Sequence, residues 1–187
     1  MTVLVTGAAG FIGAHVVQQL LHAGEHVRAT VRTLAHAQFL NTFVKAKGAT
    51  LEIVKMDLLE QETVDNAVQG CRAVIHCAAA LMVNIKNPLL EVVNPSVIGT
   101  KNLCNAIESV DCVRTIIHTS SVAAIRRTRH TNGHVFTSDD WCDDAGPEIN
   151  PYGFAKAEAE RIMRAFVETF DEKSKPRLVT IHPSIVF

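Results

Sequence analysis

The sequence has no marked excess of charge of either sign and no apolar run of membrane-spanning length. Eighteen basic and nineteen acidic residues give a net charge of -1, which offers no electrostatic reason to expect nucleic acid or an anionic membrane as a partner. No apolar stretch approaches the roughly 20 residues that a membrane-spanning helix needs. The N-terminus has no basic segment before its first apolar run, so we expect no signal peptide and a soluble cytoplasmic protein.

Cysteines are few, odd in number and without the close spacing that metal sites need. The five are Cys71, Cys77, Cys104, Cys112 and Cys142, and no C-x-x-C pair occurs. We therefore expect free thiols in a reducing compartment and no metal site. With 187 residues, 48% of them hydrophobic, the chain has the length of one domain, 1–187, with a substantial core.

The first thirteen residues contain the pattern on which the interpretation of the rest depends. The run Val3-Leu4-Val5 is typical of a buried strand, and glycines follow at positions 7, 10 and 13. Apolar residues at helical spacing come next, so the order is strand, glycine turn and helix. Such a corner binds phosphate, because glycine permits a sharp turn and close backbone approach, and the helix N-terminus offers free N–H groups. A tight turn without a ligand would show the same glycines.

Strand and helix patterns alternate along the whole chain. After the first strand, strands are predicted at 26–31, 51–54, 73–77, 113–118 and 178–181, and helices at 34–47, 60–69, 88–110 and 151–170. Three glycines, Gly24, Gly48 and Gly70, are typical of helix C-termini that lead into strands. Pro95 is expected to kink its helix or to mark its real start, and Asn150 to cap the last helix. The alternation predicts an α/β fold, a Rossmann-type doubly wound parallel sheet with helices on both faces.

The residues after the second, third and fourth strands bear on which dinucleotide would bind. Arg32 stands where a site for NAD usually has an acidic residue, and a guanidinium there suits the 2′-phosphate of NADP(H). Asp57 and Leu58 follow the third strand, where the carboxylate would accept a bond from adenine or, alternatively, cap a helix. The small residues Ala78 and Ala79 would admit the cofactor ribose, or they reflect ordinary close packing. A surface arginine without a ligand is the alternative for Arg32.

A second motif, Tyr152-Gly153-Phe154-Ala155-Lys156, supplies groups for proton transfer. The i, i+4 spacing places Tyr152 and Lys156 on one face of a helix, and Tyr152 is the only tyrosine in the chain. A nearby ammonium and an oxidised nicotinamide ring favour the phenolate, so the tyrosine can protonate a carbonyl oxygen or take the proton back. Thr119-Ser120-Ser121 follow the fifth strand and offer a hydroxyl that would hold the substrate oxygen. Hydroxyls that only cap backbone groups are the alternative.

Together these motifs resemble the extended short-chain dehydrogenase/reductase family, in particular its branch of dihydroflavonol reductases, cinnamoyl-CoA reductases and microbial aldehyde or ketone reductases. Besides the glycine turn, Asp57-Leu58, Ser120-Ser121 and the tyrosine–lysine motif, the resemblance rests on residues 29–32, 94–100, 119–124 and 181–186. It implies reversible hydride transfer between NADPH and the carbonyl group of a small aldehyde or ketone.

The resemblance also assigns roles to individual residues. Ser121 would be the catalytic serine, Tyr152 the general acid/base, and Lys156 its activator and a ribose ligand. Arg32 would bind the 2′-phosphate, and Pro183 would begin the segment along the nicotinamide. The glycine turn would bind the cofactor through Gly7, Gly10, Phe11, Ile12 and Gly13.

The sequence departs from the family pattern at three places. Ser96 stands where many relatives have a catalytic-site asparagine, which weakens the case for a proton relay through that side chain. Residues 122–124 lack the acidic side chains that dehydratases of the superfamily carry after the catalytic hydroxyl. Arg32 argues against an epimerase that holds NAD. That epimerase, and a module that senses NADP(H) without turnover, remain the alternatives to a reductase.

In relatives, the segment matching 182–187 continues into a C-terminal substrate domain, and we expect that domain to be absent from this chain. The loop 120–150, with Arg126, Arg127, His134 and Trp141, would then supply only one wall of the substrate pocket. We also expect exposed apolar surface near the end of the chain, which favours self-association, for example as a homodimer. The basic cluster from Arg126 to His130 is expected to be a solvated loop or, alternatively, a contact to an anionic substrate.

Overall fold

Six parallel strands form one sheet in the order β3-β2-β1-β4-β5-β6. The computed structural model describes residues 1–80, 85–129 and 133–186. The strands are β1 (Thr2–Thr6), β2 (His26–Val31), β3 (Thr50–Lys55), β4 (Cys71–His76), β5 (Thr115–Thr119) and β6 (Arg177–Ile181). This order is that of a doubly wound dinucleotide fold, and it confirms the predicted fold class.

Helices cover the sheet on two sides. They are α1 (Phe11–His22), α2 (Gln61–Val68), α3 (Asn94–Glu108), α4 (Val122–Ile125) and α5 (Pro151–Val167). α1 packs with a 3₁₀ segment (Leu34–Thr42) on one face of the sheet, whereas α2, α3 and α5 pack on the other. Among the described residues, no helix combines the length and the apolar character that crossing a membrane requires.

The side chains of β1 show how the strand pattern builds two cores. Successive residues of a strand point to opposite faces, so Leu4 joins the core beneath α2, α3 and α5, and Val5 joins the core beneath α1. Both side chains are fully buried. A continuous apolar run in this strand therefore reflects burial on both sides, as expected for a parallel sheet.

Two predicted helices differ from the structure. The helix predicted at 34–47 is wrong: the chain forms a 3₁₀ segment (Leu34–Thr42), and Phe43 is already extended. Its buried residues, Ala37 and Leu40, are three positions apart, which matches the three-residue repeat of that helix type. Gly48 has a positive φ of 89° but follows no helix, so its predicted role as a helix terminus is also wrong.

The helical region around residue 95 divides at the proline, as predicted. A π-helical turn (Leu89–Val93) precedes α3, and Pro95 lies in the first turn of α3. A proline is tolerated there because the first-turn N–H groups have no partner inside the helix. Near the end of the described chain, Ile181, Ile185 and Val186 are exposed apolar residues.

Candidate functional site

The glycine turn after β1 is shaped by close backbone contacts. Gly7 has a φ of 65°, which favours glycine, and a Cβ there would lie 2.8 Å from the backbone of Ala78. A Cβ on Gly13 would lie 2.2 Å from the carbonyl oxygen of Gly7. These two glycines therefore let α1 and the end of β4 approach the turn closely. The contact of Gly13 is thus with the turn itself.

Gly10 differs from the other two glycines. It precedes α1 with an extended backbone (φ -78°), is exposed, and its added Cβ would come no closer than 3.2 Å to the Gly7 oxygen. Within the described residues, no side chain caps α1 and no acidic residue lies in its first turn. The first-turn N–H groups, beginning at Phe11 and Ile12, are thus available to an anion, and the helix dipole favours negative charge there.

The turn lies between β1 and β4, where the strand order reverses. β1 pairs with β2 on one side and with β4 on the other. In open α/β sheets, ligands bind in the crevice at this point, beyond the carboxyl ends of the strands. Ala78 and Ala79 follow β4 at the same crevice, and the Ala78 N–H donates to Oγ1 of Thr6 at 3.2 Å. Close packing is therefore observed at Ala78, while Ala79 is exposed.

The ends of β2 and β3 place Arg32 and Asp57 at the same edge of the sheet. Arg32 is exposed. Oδ1 of Asp57 accepts a hydrogen bond from the N–H of Leu59 at 2.9 Å, so this carboxylate stabilises a turn before α2 and does not cap that helix, which begins at Gln61. Leu58 packs against α3, because a Cβ on Gly99 would lie 2.9 Å from the Leu58 Cβ.

Ser121 lies directly before α4 and caps it. Its Oγ accepts a hydrogen bond from the N–H of Ala123 at 3.1 Å, and the residue is 9% exposed. The capping role considered from the sequence is therefore observed. A hydroxyl that accepts one bond still has its own hydrogen to donate, so capping leaves Ser121 able to bind a substrate oxygen.

Tyr152 and Lys156 lie on the first turns of α5, which begins as predicted. Oδ1 of Asn150 accepts a bond from the N–H of Gly153 at 3.0 Å, which caps the helix. Nζ of Lys156 lies 6.0 Å from the centroid of the Tyr152 ring. It also donates to the carbonyl oxygen of Thr119 at 2.9 Å, so this lysine ties α5 to the end of β5, two residues before Ser121.

Lys156 is a buried cation, and its surroundings alter its protonation. The residue is 7% exposed, and burial lowers its pKa from 10.5 to about 8. Cys77 would oppose that shift as a thiolate, a form that burial disfavours by raising the pKa of this thiol, and the negative charge of Glu160 also opposes it. A lysine with such a pKa remains mostly protonated at neutral pH but loses its proton at a lower pH than an exposed lysine does.

Two histidines beneath Lys156 were not singled out from the sequence. His76 and His118 are directly paired positions on β4 and β5, their rings stack with centroids 5.5 Å apart, and both are buried. Oγ1 of Thr6 lies 2.8 Å from Nδ1 of His76. Burial, together with the charge of Lys156, lowers the pKa of His76 to about 3 and that of His118 well below its ordinary value. Both imidazoles are therefore neutral.

The hydroxyl of Ser120 belongs to the same buried layer. Within the described part of the chain, Oγ of Ser120 and both ring nitrogens of His118 are buried without a hydrogen-bond partner. Ser120 follows β5, which ends at Thr119, and its N–H donates to the carbonyl oxygen of His118 at 3.1 Å. The sequence does contain a signal for this layer: on one face, Thr6 and His76 end β1 and β4, and His118 is the last but one residue of β5.

The loop after α4 is fastened to α5. The ring of Trp141 packs against the guanidinium of Arg161, 4.7 Å from its centroid, and against that of Arg164 at 5.8 Å. Arg161 also pairs with Asp143. Trp141 thus anchors the loop, and His134 bonds to Asp140 within it at 2.9 Å.

The basic cluster at the start of this loop is mostly exposed. Arg126, Arg127 and Arg129 are exposed, as expected for a solvated loop. His130 and Phe187 lie outside the described residues.

The chain is similar to several known proteins in sequence and in structure. The sequence model of the NAD dependent epimerase/dehydratase family matches residues 3–177. Cinnamoyl-CoA reductase CAD2 of Medicago truncatula is 33% identical over 98% of this chain, and dihydroflavonol 4-reductase of Zea mays is 33% identical over 99%. The structure of Gre2 from Candida albicans in complex with NADPH superposes with a TM-score of 0.86 and 32% identity over 100% of this chain.

The relatives are longer than this chain. The chain spans 57% of the Medicago protein and 52% of the maize protein, and it covers 58% of the Candida chain. The similarity to the dihydroflavonol and cinnamoyl-CoA reductases agrees with the branch predicted from the motifs.

Proposed function

The chain belongs to the NAD dependent epimerase/dehydratase family, and we propose that it acts as an NADPH-dependent reductase of carbonyl compounds. The observation that carries this proposal is the position of Lys156. Its buried ammonium lies one helical turn from the Tyr152 ring and is bonded to the strand end that leads into Ser121. Lys156 thereby connects the helix that carries Tyr152 with the strand end that leads into Ser121, at the carboxyl edge of the sheet.

The cofactor would lie across the crevice between β1 and β4. The N–H groups of the first turn of α1 would bind the pyrophosphate, and exposed Gly10 leaves room for it. Arg32 would pair with the 2′-phosphate, which explains an arginine where NAD sites have a carboxylate. The Candida relative is known in complex with NADPH. Asp57 and Leu58 would lie at the adenine, Ala79 at the ribose and Pro183 at the nicotinamide.

The residues of the chain would handle the proton. When bound, NADPH supplies the hydride that reduces the carbonyl carbon. Tyr152 donates its phenolic proton to the carbonyl oxygen, and the Ser121 hydroxyl donates a hydrogen bond to that oxygen. The ammonium of Lys156 stabilises the phenolate that remains and contacts the ribose. Neutral His76 and His118 add no positive charge that would compete with the ammonium at this site.

NADPH consumption with a panel of aldehydes and ketones tests the proposal, followed through the absorbance of the reduced nicotinamide. We expect Tyr152→Phe to lower turnover by about 10²-fold or more, because general acid catalysis contributes about that factor. NADPH binding should persist in this variant. Ser174→Ala, on an exposed serine outside the site, serves as the control. Tight NADPH binding without consumption of any carbonyl compound would favour a sensor instead.

Cofactor preference is tested separately. Arg32→Ala should weaken NADPH binding about tenfold and leave NADH binding unchanged, since a charge-assisted bond to the 2′-phosphate is lost. Arg114→Ala is the matched control, because Arg114 is exposed just before β5, at the opposite end of that strand. A preference of the parent protein for NADH would contradict the assignment of Arg32 and favour the epimerase alternative.

A further inference from the structure

The carboxylate of Glu160 is buried on α5 and has no role in the function proposed above. Its side chain is 1% exposed, and a buried carboxylate is costly unless it is paired and hydrogen-bonded. Oε1 accepts bonds from two nitrogens of the Arg164 guanidinium at 2.8 Å. Oε2 lies 2.8 Å from Nε2 of His182. Both carboxylate oxygens are therefore occupied, one by the same helix and one by a different part of the chain.

His182 connects this carboxylate to the segment that follows β6. The strand ends at Ile181, so the sheet no longer holds the residues after it. The carbonyl oxygen of Pro183 accepts a bond from the N–H of Val122 at 3.0 Å. Val122 is the residue after Ser121, and Glu160 is four residues after Lys156. The segment at His182 and Pro183 is thus fastened on two sides to the elements that carry the proposed catalytic residues.

We propose that Glu160 and His182 are positioning residues that hold the Pro183 segment in place for the nicotinamide end of the cofactor. The inference rests on the proposed function, which places the nicotinamide beside Pro183. The pair replaces the strand pairing that stops at Ile181. Without it, only the bond to Val122 remains between the described segment after β6 and the rest of the site. Ser184, Ile185 and Val186 are exposed, so the segment has little burial of its own to fix it.

Two probes separate the two ends of the cofactor site. NADPH carries the nicotinamide, whereas adenosine 2′,5′-bisphosphate carries only the adenosine with its 2′- and 5′-phosphates. His182→Leu removes the donor to Glu160. We expect it to weaken NADPH binding about tenfold, the loss typical of a hydrogen bond to a charged group, and to change bisphosphate binding by less than about twofold.

A rescue variant and a control sharpen the test. His182→Gln retains an N–H donor at a similar reach and should restore NADPH affinity to within about threefold of the parent. Glu168→Gln makes the same type of change at an exposed ion pair with Lys175 and should alter neither affinity. If His182→Leu does not fold, Glu160→Gln, which removes the charge but keeps the size, is expected to weaken NADPH binding selectively in the same way.

The outcomes are distinct. Equal weakening of both probes by His182→Leu or Glu160→Gln would show a purely structural pair and overturn the inference, as would no weakening of either. Failure of His182→Gln to rescue a folded protein would also count against it. A parent protein that binds neither probe would instead refute the proposed function, and with it the role inferred for this pair.

Discussion

Replacement of Lys156 by methionine should remove a pH dependence of stability that the parent protein shows. Burial lowers the pKa of Lys156 from 10.5 to about 8, whereas unfolding returns it to its ordinary value. Below about pH 8 both states hold the proton, so the cost of burying the ammonium is constant. Between about 8 and 10.5 only the unfolded state holds it. Unfolding then takes up a proton, and stability rises with pH.

The size of the effect follows from the same values. The difference between the Lys156 pKa values of the unfolded and folded protein corresponds to a free energy of about 3 kcal/mol, because one pKa unit equals about 1.4 kcal/mol. The free energy of unfolding of the parent, relative to Lys156→Met, should therefore rise by up to about 3 kcal/mol between about pH 7 and pH 10.5. Subtracting the two proteins cancels the titration of all groups that do not interact with Lys156.

Urea unfolding in the presence of a reductant, followed by the fluorescence of the single tryptophan, Trp141, measures this difference. Lys173→Met is the control, because Lys173 is exposed, and its difference from the parent should not vary with pH. If the difference in unfolding free energy between the parent and Lys156→Met did not vary with pH, the conclusion that burial of the ammonium reduces stability would be refuted. A difference that falls with pH would mean that the site stabilises the charged lysine more than water does.

Two further substitutions test the backbone around the site by urea unfolding. Gly13→Ala should cost about 1–3 kcal/mol or prevent folding, because its Cβ meets the backbone oxygen of Gly7 at 2.2 Å. Gly146→Ala, where the structure shows open space, should cost far less; equal losses would contradict the packing described. Asn150→Ala should cost about 1 kcal/mol through loss of the α5 cap at Gly153, and an unchanged stability would count against that cap.

Most of the fold could be predicted because its signals are local. Apolar runs of the right length mark buried strands, and β2 occupies 26–31 as predicted. The cap at Asn150 and the start of α3 around Pro95 also follow from neighbouring residues. The wrong helix at 34–47 had a helical spacing of apolar residues, but only Ala37 and Leu40 are buried in the 3₁₀ segment. Packing against the rest of the protein determines which apolar residues face the core, and the periodicity of the sequence does not predict that packing.

Contacts within the candidate site were predicted where a motif is local and missed where they depend on distant partners. Tyr152 and Lys156 are one helical turn apart, so their spacing was sufficient. The bond between Glu160 and His182 joins positions 22 residues apart, and nothing near either residue indicates the other. The contact of Gly7 with Ala78 likewise arises only when β1 and β4 pair. Gly10 and Arg32 are exposed, and their contacts with a cofactor stay predictions.

Beneath α5, the face of the sheet changes from apolar to polar at its carboxyl edge. Along the strands, Leu4 is followed on the same face by Thr6, Val74 by His76 and Ile116 by His118, and all six side chains are buried. The first member of each pair belongs to one apolar core.

Thr6 and His76 bond to each other, whereas His118 reduces stability, because buried polar groups are costly where hydrogen bonds are incomplete. Both ring nitrogens of His118 lack a hydrogen-bond partner in the described part of the chain, and Lys156 above it is a buried cation. An apolar residue at position 118 would give a more stable sheet. An arrangement that reduces stability at one edge of an otherwise apolar core is expected where side chains must exchange protons with a ligand. The stability cost predicted for Lys156 and the chemistry proposed for Tyr152 thus both depend on an ammonium that is buried beside this polar layer.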